Sequence, residues 1–505
     1  MDTRIAFDSE RYLAEQSAAI IERMQRFNNK LYLEFGGKLV HDRHAARVLP
    51  GFDPDGKIKL LRKLRDKTEI LLCIHAGDIE RKKMRADFGI TYDCDALKLI
   101  DDLREWDLDV KAVIMTRFVE GQQGALAFKN KLERRGVRVV THRHTQGYPS
   151  NVDLIVSDAG YGANPYIETE KPLVAVIGPG PNSGKMATCM SQLYHDYRRG
   201  LKSGFAKFET FPIWNLPVEH PVNAAYEAAT ADIRDVNMID PFHMLATQQM
   251  AVSYNRDIEA FPMLRCILGR ITGVETYRSP TDMGVNRAGF AIVDDAVARQ
   301  AAEQEIIRRY FLYSCEYAMG ISDSESVERV EMLMKQHSIK PSDRRVVEPA
   351  ARAAREAAQT GKGHKGVYCG AALELRDGRI VTGKNSPLFH AASSAVLNAV
   401  KILAEIPDRL HLLPPAVMKS IAALKGDLLK IKSTSLDVEE MLIALSISAT
   451  VNPAAQMAIE KLRALSDCEI HLTHIPSSGD AEGLRRLGMH LTSDPNYPTK
   501  DLFVA

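Results

Sequence analysis

The sequence lacks three things: long apolar runs, paired cysteines and an excess of charge of either sign. No stretch approaches the roughly 18–20 consecutive apolar residues of a membrane span, which argues against a membrane protein. The seven cysteines stand singly with no C-x-x-C pair, so free thiols and a cytoplasmic location are predicted. Because 66 basic residues are balanced by 65 acidic ones, for a net charge of +1, no overall field favours nucleic acid.

What the sequence has is the composition of a globular protein with several domains. Its 505 residues are 45% hydrophobic and 26% charged, which predicts about two to four domains with sizeable cores. We predict an N-terminal α/β domain over 1–160, a second α/β domain with a helical extension over 161–340, and a smaller C-terminal α/β domain over 346–505. The polar stretch HSIKPSDRR indicates the last boundary.

Short apolar runs alternate with segments of helical periodicity through the first half of the chain. The predicted strands cover residues 31–35, 70–74, 110–115, 137–140, 153–157, 173–177 and 205–208. Helix-period segments separate most of them. This βα alternation predicts a doubly wound, mostly parallel sheet, followed by a helical middle segment.

The most informative stretch is PLVAVIGPGPNSGKMATCMSQLYHDYRR, residues 172–199. An apolar strand is followed by a glycine-rich loop, a lysine and apolar residues at helical spacing. Glycines let backbone N–H groups approach an anion, the start of a helix adds partial positive charge, and lysine adds a full charge. The pattern therefore predicts a P-loop-like turn that binds phosphate. The predicted ligand-binding residues are Gly178, Gly180, Asn182, Ser183, Gly184, Lys185 and Thr188.

This loop departs from a Walker A motif in two respects. Five residues separate Gly178 from Gly184 and three separate Gly180 from Gly184, whereas the motif has four. Met186 occupies the position of the magnesium-binding hydroxyl. A tight βα turn whose glycines only permit close packing therefore stays open as the alternative to phosphate binding.

A nucleotide-dependent enzyme also needs a carboxylate that holds Mg²⁺ or orients a nucleophile. The segment that follows the loop helix is rich in acids, and Asp232, Asp235 and Asp240 are the candidates. Together with Lys185 they form the predicted catalytic set. Acids on a solvated helix surface are the alternative interpretation. The spacing of histidine and cysteine predicts no resident metal site.

Three polar segments are candidates for substrate binding, because open α/β sheets bind ligands beyond the carboxyl ends of their strands. Two of them follow the strands predicted at 70–74 and 110–115. The third, YRSPTDMGVNR, contains arginines, which recognise phosphate or carboxylate bidentately. The candidate residues are His75, Asp78, Arg81, Arg85, Arg117, Arg278, Asp282, Asn286 and Arg287. Solvated helix faces and helix-capping turns are the alternatives.

Three stretches together carry a family resemblance: GYGANPYIETEKPLVAVIGPGPNSGKMATCMSQLYHD, AKFETFPIWNLPVEHPVNAAYEAATADIRDVNMIDPFH and YRSPTDMGVNR. On these residues the chain is similar, over essentially its whole length, to a bacterial family catalogued as a domain of unknown function. Some members of that family carry the label of ATP-dependent peptidase. The chain has no HExxH motif, no G-x-S-x-G elbow and no Cys–His framework, so its residues give no support to that label.

The C-terminal part resembles the cytidine-deaminase-like fold in GAALELRDGRIVTGKNSPLFHAASSAVLNAVKIL and LIALSISATVNPAAQMAIEKLRALSDCEIHLTH. That chemistry needs His-x-Glu and Pro-Cys-x-x-Cys around zinc. His390 and Pro453 match, but Ala392, Ala454 and Met457 stand where the glutamate and the cysteines belong. The resemblance implies a zinc-free relative that binds, braces or mediates oligomer contacts. An ordinary α/β domain with a DG hairpin is the alternative.

The sequence as a whole predicts a phosphate- or nucleotide-binding protein. It would act as a nucleotide-dependent phosphotransferase or hydrolase, using ATP or GTP with Mg²⁺. The alternative is a non-catalytic sensor or oligomeric scaffold that binds a phosphorylated metabolite. Both interpretations predict a small phosphorylated partner and a homo-oligomer, with no role for nucleic acid or a membrane. A Rossmann-type enzyme is disfavoured, because no well-spaced G-x-G-x-x-G with a ribose-binding acid is present.

Overall fold

A computed structural model of the protein describes residues 5–28, 30–85, 90–431 and 433–499, except for the side chain of Arg85. The prediction for Arg85 therefore lies outside the described residues. The chain forms two compact units. The parallel-sheet unit comprises the described residues up to Glu227 together with Asp235–Ala302. The mixed-sheet unit comprises Ala228–Arg234 together with the chain from Glu303.

The parallel-sheet unit is an α/β structure. Its strands are β1 (Leu31–Phe35), β2 (Thr68–His75), β3 (Met84–Arg85), β4 (Ile90–Thr91), β5 (Val110–Thr116), β6 (Val139–Thr141), β7 (Leu173–Ile177), β8 (Gly204–Phe208), β9 (Asn237–Ile239) and β10 (Val252–Tyr254). The helices that begin in it are α1 (Ser9–Gln25), α2 (Arg43–Val48), α3 (Gly56–Lys63), α4 (Ala76–Glu80), α5 (Tyr92–Glu105), α6 (Gln123–Glu133), α7 (Val152–Ile155), α8 (Lys185–Arg198), α9 (Pro221–Ala229), α10 (Pro241–Thr247), α11 (Asn255–Thr272), α12 (Pro280–Met283) and α13 (Asp295–Ala318).

Six of these strands form one sheet in the order β6-β5-β2-β7-β1-β8, and every neighbouring pair is parallel. The predicted α/β class with a parallel sheet is therefore confirmed. The strands come from both sides of the domain boundary that the sequence suggested at 160/161. β7 and β8 pair directly with strands from the first 160 residues.

Helices cover both faces of this sheet. Leu33 and Ala175 belong to a core that α1, α3, α5 and α6 complete, whereas Tyr32 and Val176 belong to a core on the other face, completed by α8 and α11. All five residues of β7 are buried. A strand covered on both faces must be apolar throughout, which explains the uninterrupted LVAVI run.

The helices that follow β2 and β7 diverge at the carboxyl edge of the sheet. These two strands are neighbours, yet α4, which follows β2, packs on one face and α8, which follows β7, packs on the other. Open α/β sheets typically bind ligands beyond the strand ends at such a divergence. The loop between β7 and α8 lies at this edge.

One strand prediction is wrong. Residues 153–157 were expected to extend, but Val152–Ile155 form α7. The side chain of Asn151 accepts a hydrogen bond from the backbone N–H of Leu154 at 3.0 Å. This cap begins a helical turn despite the alternation of the VDLIV letters.

The mixed-sheet unit contains a smaller sheet. Its strands are β11 (Gly370–Glu374), β12 (Ile380–Lys384), β13 (Glu469–Leu472) and β14 (His490–Ser493), in the order β12-β11-β13-β14. Only β13 and β14 run parallel. The helices that begin in this unit are α14 (Ser324–Gln336), α15 (Val347–Gln359), α16 (Ala391–Leu403), α17 (Pro415–Ala423), α18 (Val438–Ala449), α19 (Pro453–Lys461) and α20 (Ser478–Arg486). Across the described residues, no helix combines the length and the apolar character that crossing a bilayer requires.

Candidate functional site

The loop of residues 178–184 turns the chain from β7 into α8, and its backbone explains its glycines. Gly184 has a φ of +87° and precedes the first helical residue, Lys185. A Cβ atom at Gly184 would lie 2.7 Å from the side chain of Thr116, and one at Gly178 would lie 2.4 Å from Ser183 Oγ. Both the left-handed backbone and the close approaches exclude larger residues.

The loop leaves main-chain donors without acceptors. Within residues 5–28, 30–85, 90–431 and 433–499, the N–H groups of Gly180, Asn182 and Gly184 find no hydrogen-bond acceptor. The side chain of Lys185 folds back over the loop, with its Nζ 3.4 Å from the Gly180 carbonyl oxygen and 3.5 Å from Ser183 Oγ. N–H groups, the positive end of α8 and an ammonium group therefore meet at one place.

The ends of three neighbouring strands are tied together beside this loop. Thr116, the last residue of β5, donates its hydroxyl to the Ser183 carbonyl at 2.8 Å, with the Ile74 carbonyl of β2 3.3 Å away. The residue that follows, Arg117, is exposed and adopts a φ of +52°. The backbone of Arg117 therefore lies at the carboxyl edge of the sheet, where the loop of residues 178–184 also lies.

His75 and Asp78 lie at the end of β2 and the start of α4. Asp78 is buried, 3.4 Å from His75 Nδ1 and 2.7 Å from the guanidinium of the exposed Arg81. These contacts occupy the Asp78 carboxylate within the protein. His75 ends β2 and Arg81 follows α4, so both lie in the segment that continues from the carboxyl end of β2, as the sequence predicted.

Thr188 lies away from the loop. Its side chain is 1% exposed, and Cys73 Sγ of β2 lies 3.4 Å from its hydroxyl oxygen. Burial raises the pKa of Cys73 to about 12. Thr188 therefore packs between α8 and the sheet, and its predicted contact with a ligand stays a prediction.

The three predicted metal-binding aspartates occupy different surroundings. Asp240 is fully buried, and its two oxygens accept hydrogen bonds from the N–H groups of Phe242, His243 and Thr281 and from the Thr281 hydroxyl. Four accepted bonds use all of its lone pairs, so Asp240 caps α10. Asp235 is buried and lies 3.1 Å from a nitrogen of Arg256. Asp232 belongs to the mixed-sheet unit, where it accepts a hydrogen bond from Tyr313 at 3.2 Å.

Three of the four predicted site residues in the YRSPTDMGVNR segment line a cavity of about 280 Å³ beside the end of β8. Asp282, Asn286 and Arg287 line it, whereas Arg278 is exposed and lies outside it. The Asn286 side chain donates to the carbonyls of Thr210 and Pro212, which fixes the segment to the chain after β8. Of the four predicted site residues in this segment, three therefore line the cavity and Arg278 is exposed to solvent.

A cluster of charges lines the same cavity, and most of its members did not figure among the predicted site residues. Lys207 Nζ lies 2.5 Å from Asp257 Oδ1, and Glu209 lies nearby. Burial by itself lowers the pKa of Lys207, but the surrounding carboxylates, foremost Asp257, raise it above its ordinary value. Burial also raises the pKa of Glu209 to about 7. The signal in the sequence was a lysine inside an otherwise apolar strand, GFAKF.

Glu34 lies on β1, the strand between β7 and β8. It is the charged residue of β1, and its Oε2 is buried with no hydrogen-bond partner among the described residues. Burial is the main cause of the raised pKa values of the Cys73 and Cys189 thiols, and the charge of Glu34 adds to both; it also adds to the effect of Asp257 in raising the pKa of Lys207. Among the described residues, Glu34 therefore carries a buried carboxylate oxygen without a partner on the strand next to β7.

The positions compared with a deaminase site lie in the mixed-sheet unit. His390 precedes α16, and its Nδ1 is 2.7 Å from Asp480 Oδ2. Ala392 is buried in α16, and Pro453 begins α19. In the described part of the chain, no group of three or more His, Cys, Asp or Glu side chains is arranged to hold a metal ion. The relation to the deaminase-like fold stays a prediction.

Two family profiles match the chain. The profile described as "Domain of unknown function DUF1846, N-terminal" matches residues 5–338, and its C-terminal counterpart matches residues 342–503. A UPF0371 protein of Clostridium tetani (strain Massachusetts / E88) is 54% identical over 501 residues, 99% of each chain. One from Clostridium botulinum (strain Alaska E43 / Type E3) is 53% identical over the same share. The predicted family resemblance is confirmed, and the chain belongs to the DUF1846 family.

Proposed function

We propose that this protein binds a phosphate-bearing small molecule, a nucleotide or a phosphorylated metabolite, at the loop of residues 178–185. The observation that supports this most directly is the set of unpartnered N–H groups of Gly180, Asn182 and Gly184 at the start of α8. Lys185 places its ammonium group over them. Such a loop offers a phosphate several donors and a full counter-charge without rearrangement of the backbone.

The activity that suits this loop is a nucleotide-dependent phosphoryl transfer or hydrolysis with ATP or GTP and Mg²⁺. Asp240 and Asp235 are occupied by a helix cap and by Arg256. In this proposal Glu34 takes the metal-binding role instead of those acids, because its Oε2 is buried and unpartnered in the described chain. Mg²⁺ is usually held by one or two carboxylates together with water and substrate phosphates.

Calorimetry with ATP, GTP, ADP and GDP in the presence of Mg²⁺ tests the binding. We expect Lys185→Ala to weaken nucleotide binding by about tenfold to a hundredfold, since it removes a charge-assisted hydrogen bond. Lys202→Ala is the control, because Lys202 is an exposed lysine beyond the end of α8. Absence of binding by the wild type, or equal weakening in both variants, contradicts the proposal.

A second candidate function is a non-catalytic sensor that assembles through the mixed-sheet unit. Ile443, Ile447 and Val451 follow one another at helical spacing along and just beyond α18, and they are 64%, 54% and 79% exposed. Burying such a row between copies of the chain would stabilise an oligomer.

Light scattering and a phosphate-release assay distinguish the two candidates. The sensor predicts an oligomer that Ile447→Glu dissociates, and saturable nucleotide binding without phosphate release. The enzyme predicts steady release of phosphate that Lys185→Ala abolishes. A wild-type monomer that hydrolyses nucleotide eliminates the sensor.

A further inference from the structure

The cavity beside the end of β8 is a separate feature from the loop of residues 178–185. Its volume of about 280 Å³ is close to the lower limit of about 300 Å³ for small-molecule pockets. Side chains from α1, β8, α10, α11 and the segment 280–287 line it. All of these belong to the parallel-sheet unit.

One side of the cavity carries arginines without carboxylate partners. Within the described chain, Arg23, Arg26 and Arg287 have no carboxylate oxygen within ion-pair distance. Arg23 is nevertheless held in place, because it donates to the carbonyls of Met283 and Gly284 at 3.3 Å and lies over the ring of Tyr277. A fixed guanidinium that lacks a counter-charge is suited to an anion from outside the protein.

A buried histidine supplies an independent sign of a ligand. His243 lines the cavity and is 9% exposed. Its Nδ1 lies 3.1 Å from Ser279 Oγ, whereas its Nε2 is buried and has no partner among the residues the structure describes. Buried polar atoms nearly always have hydrogen-bond partners, so Nε2 indicates that a bound molecule completes the site.

We propose that this cavity binds a small organic anion through a carboxylate or phosphate group. Arg23 and Arg287 contact the anionic group, His243 Nε2 contacts a second polar atom, and the charge of Glu209 controls the affinity. This site is additional to the phosphate loop and does not depend on it. Glu209 has no hydrogen-bond partner in the described chain and packs against Gly36, so its carboxyl is available to the cavity.

The charge of Glu209 changes near neutral pH. Burial raises its pKa to about 7 against the opposing effect of Lys207, with Asp257 and Glu34 adding to the shift. Arg256 of α11 also acts on it, and Glu22, Asp282 and His243 line the rest of the cavity. Since a neutral Glu209 does not repel an anion, binding tightens as the pH falls through 7.

Calorimetry on the full chain with two probes, succinate and inorganic phosphate, tests this proposal. We expect at least one probe to bind, and Arg287→Gln to weaken it by about tenfold, as loss of a charge-assisted pair should. Arg278→Gln, an exposed arginine outside the cavity, and Lys185→Ala should each change that affinity by less than about twofold. With succinate, which is largely a dianion at both pH values, Glu209→Gln should remove most of the difference between pH 6 and pH 8; inorganic phosphate, which changes its own charge over this range, is compared at pH 8 only.

The same titrations can overturn the proposal. Binding of neither probe does so, and so does binding that Lys185→Ala abolishes while Arg287→Gln retains it, because the anion then occupies the loop. Thermal unfolding reports whether each variant is folded. If Arg287→Gln does not fold, Arg23→Gln replaces it, since Arg23 is the other arginine proposed to contact the anionic group.

Discussion

The loop after β7 and the cavity beside β8 lie at the same edge of one sheet, but they are built from different parts of the chain. The loop presents main-chain N–H groups of nearly consecutive residues and depends on glycine at position 184. The cavity presents side chains from segments that are far apart in the sequence, such as Arg23, Lys207 and Arg287. The structure of the loop therefore depends on backbone geometry, and that of the cavity depends on a balance of buried charges.

Removal of Lys207 gives the largest expected loss of stability. Lys207→Met leaves Asp257 buried without its ammonium partner, and we expect a loss of about 3 kcal/mol in the free energy of unfolding. Lys59→Met is the matched control, because the Lys59–Asp53 pair is exposed and should contribute less than about 1 kcal/mol. Urea denaturation at pH 7 measures both. Equal losses would mean that the cavity charges are not a buried network.

Substitution of Gly184 tests the backbone side of the comparison. Gly184→Ala adds a Cβ 2.7 Å from Thr116 at a left-handed residue, and we expect a loss of about 2–3 kcal/mol. Gly200→Ala is the control, since Gly200 also has a positive φ but has no atom within 4 Å of the added Cβ. Its loss should be nearer 1 kcal/mol. If urea denaturation gives the same value for both, the loop is not closely packed.

The pH dependence of stability tests whether the Glu209 carboxyl titrates near neutral pH. Its pKa is about 7 in the folded protein against an ordinary value of 4.5, so the stability that Glu209 contributes is fully present below pH 4.5 and is lost as the pH rises through 7. Glu209→Gln should therefore stabilise the protein by about 1–2 kcal/mol at pH 8 and change it little at pH 4.5. Denaturation midpoints at the two pH values measure this. A stabilisation that is the same at both would contradict a titrating carboxyl.

The smallest expected effect concerns Thr188. Because its hydroxyl meets Cys73 inside the core, Thr188→Val should change nucleotide affinity by less than about twofold. Lys185→Ala, measured in the same titrations, supplies the contrast. A large loss of affinity in Thr188→Val would place the hydroxyl at the ligand and contradict the described packing.

Local patterns predicted the elements well where burial was uniform. Residues 31–35 and 173–177 form strands with the predicted bounds, because each is apolar along its whole length or nearly so. Residues 153–157 were predicted wrongly, since one side-chain cap from Asn151 outweighed the apolar alternation. In short segments the local sequence favours a helix or a strand only weakly, so a single contact can determine which of the two forms.

The candidate sites also contain features that could be predicted from the sequence and features that could not. The loop could be predicted because its glycines, Lys185 and the following helix are contiguous in the sequence. The direction of Thr188, the capping role of Asp240 and the unpartnered Oε2 of Glu34 could not, because each depends on which strand or helix lies opposite. The arginines of the cavity are dispersed over more than two hundred residues of sequence.

The sequence by itself determined the α/β class, the parallel strands and a glycine-rich turn ahead of a lysine, since these follow from local periodicity and backbone freedom. Only the tertiary structure decided which charges share a cavity and which are left without partners. The physical reason is that hydrophobic burial is encoded in short repeats along the chain, whereas the pairing of buried charges is set by contacts between distant segments.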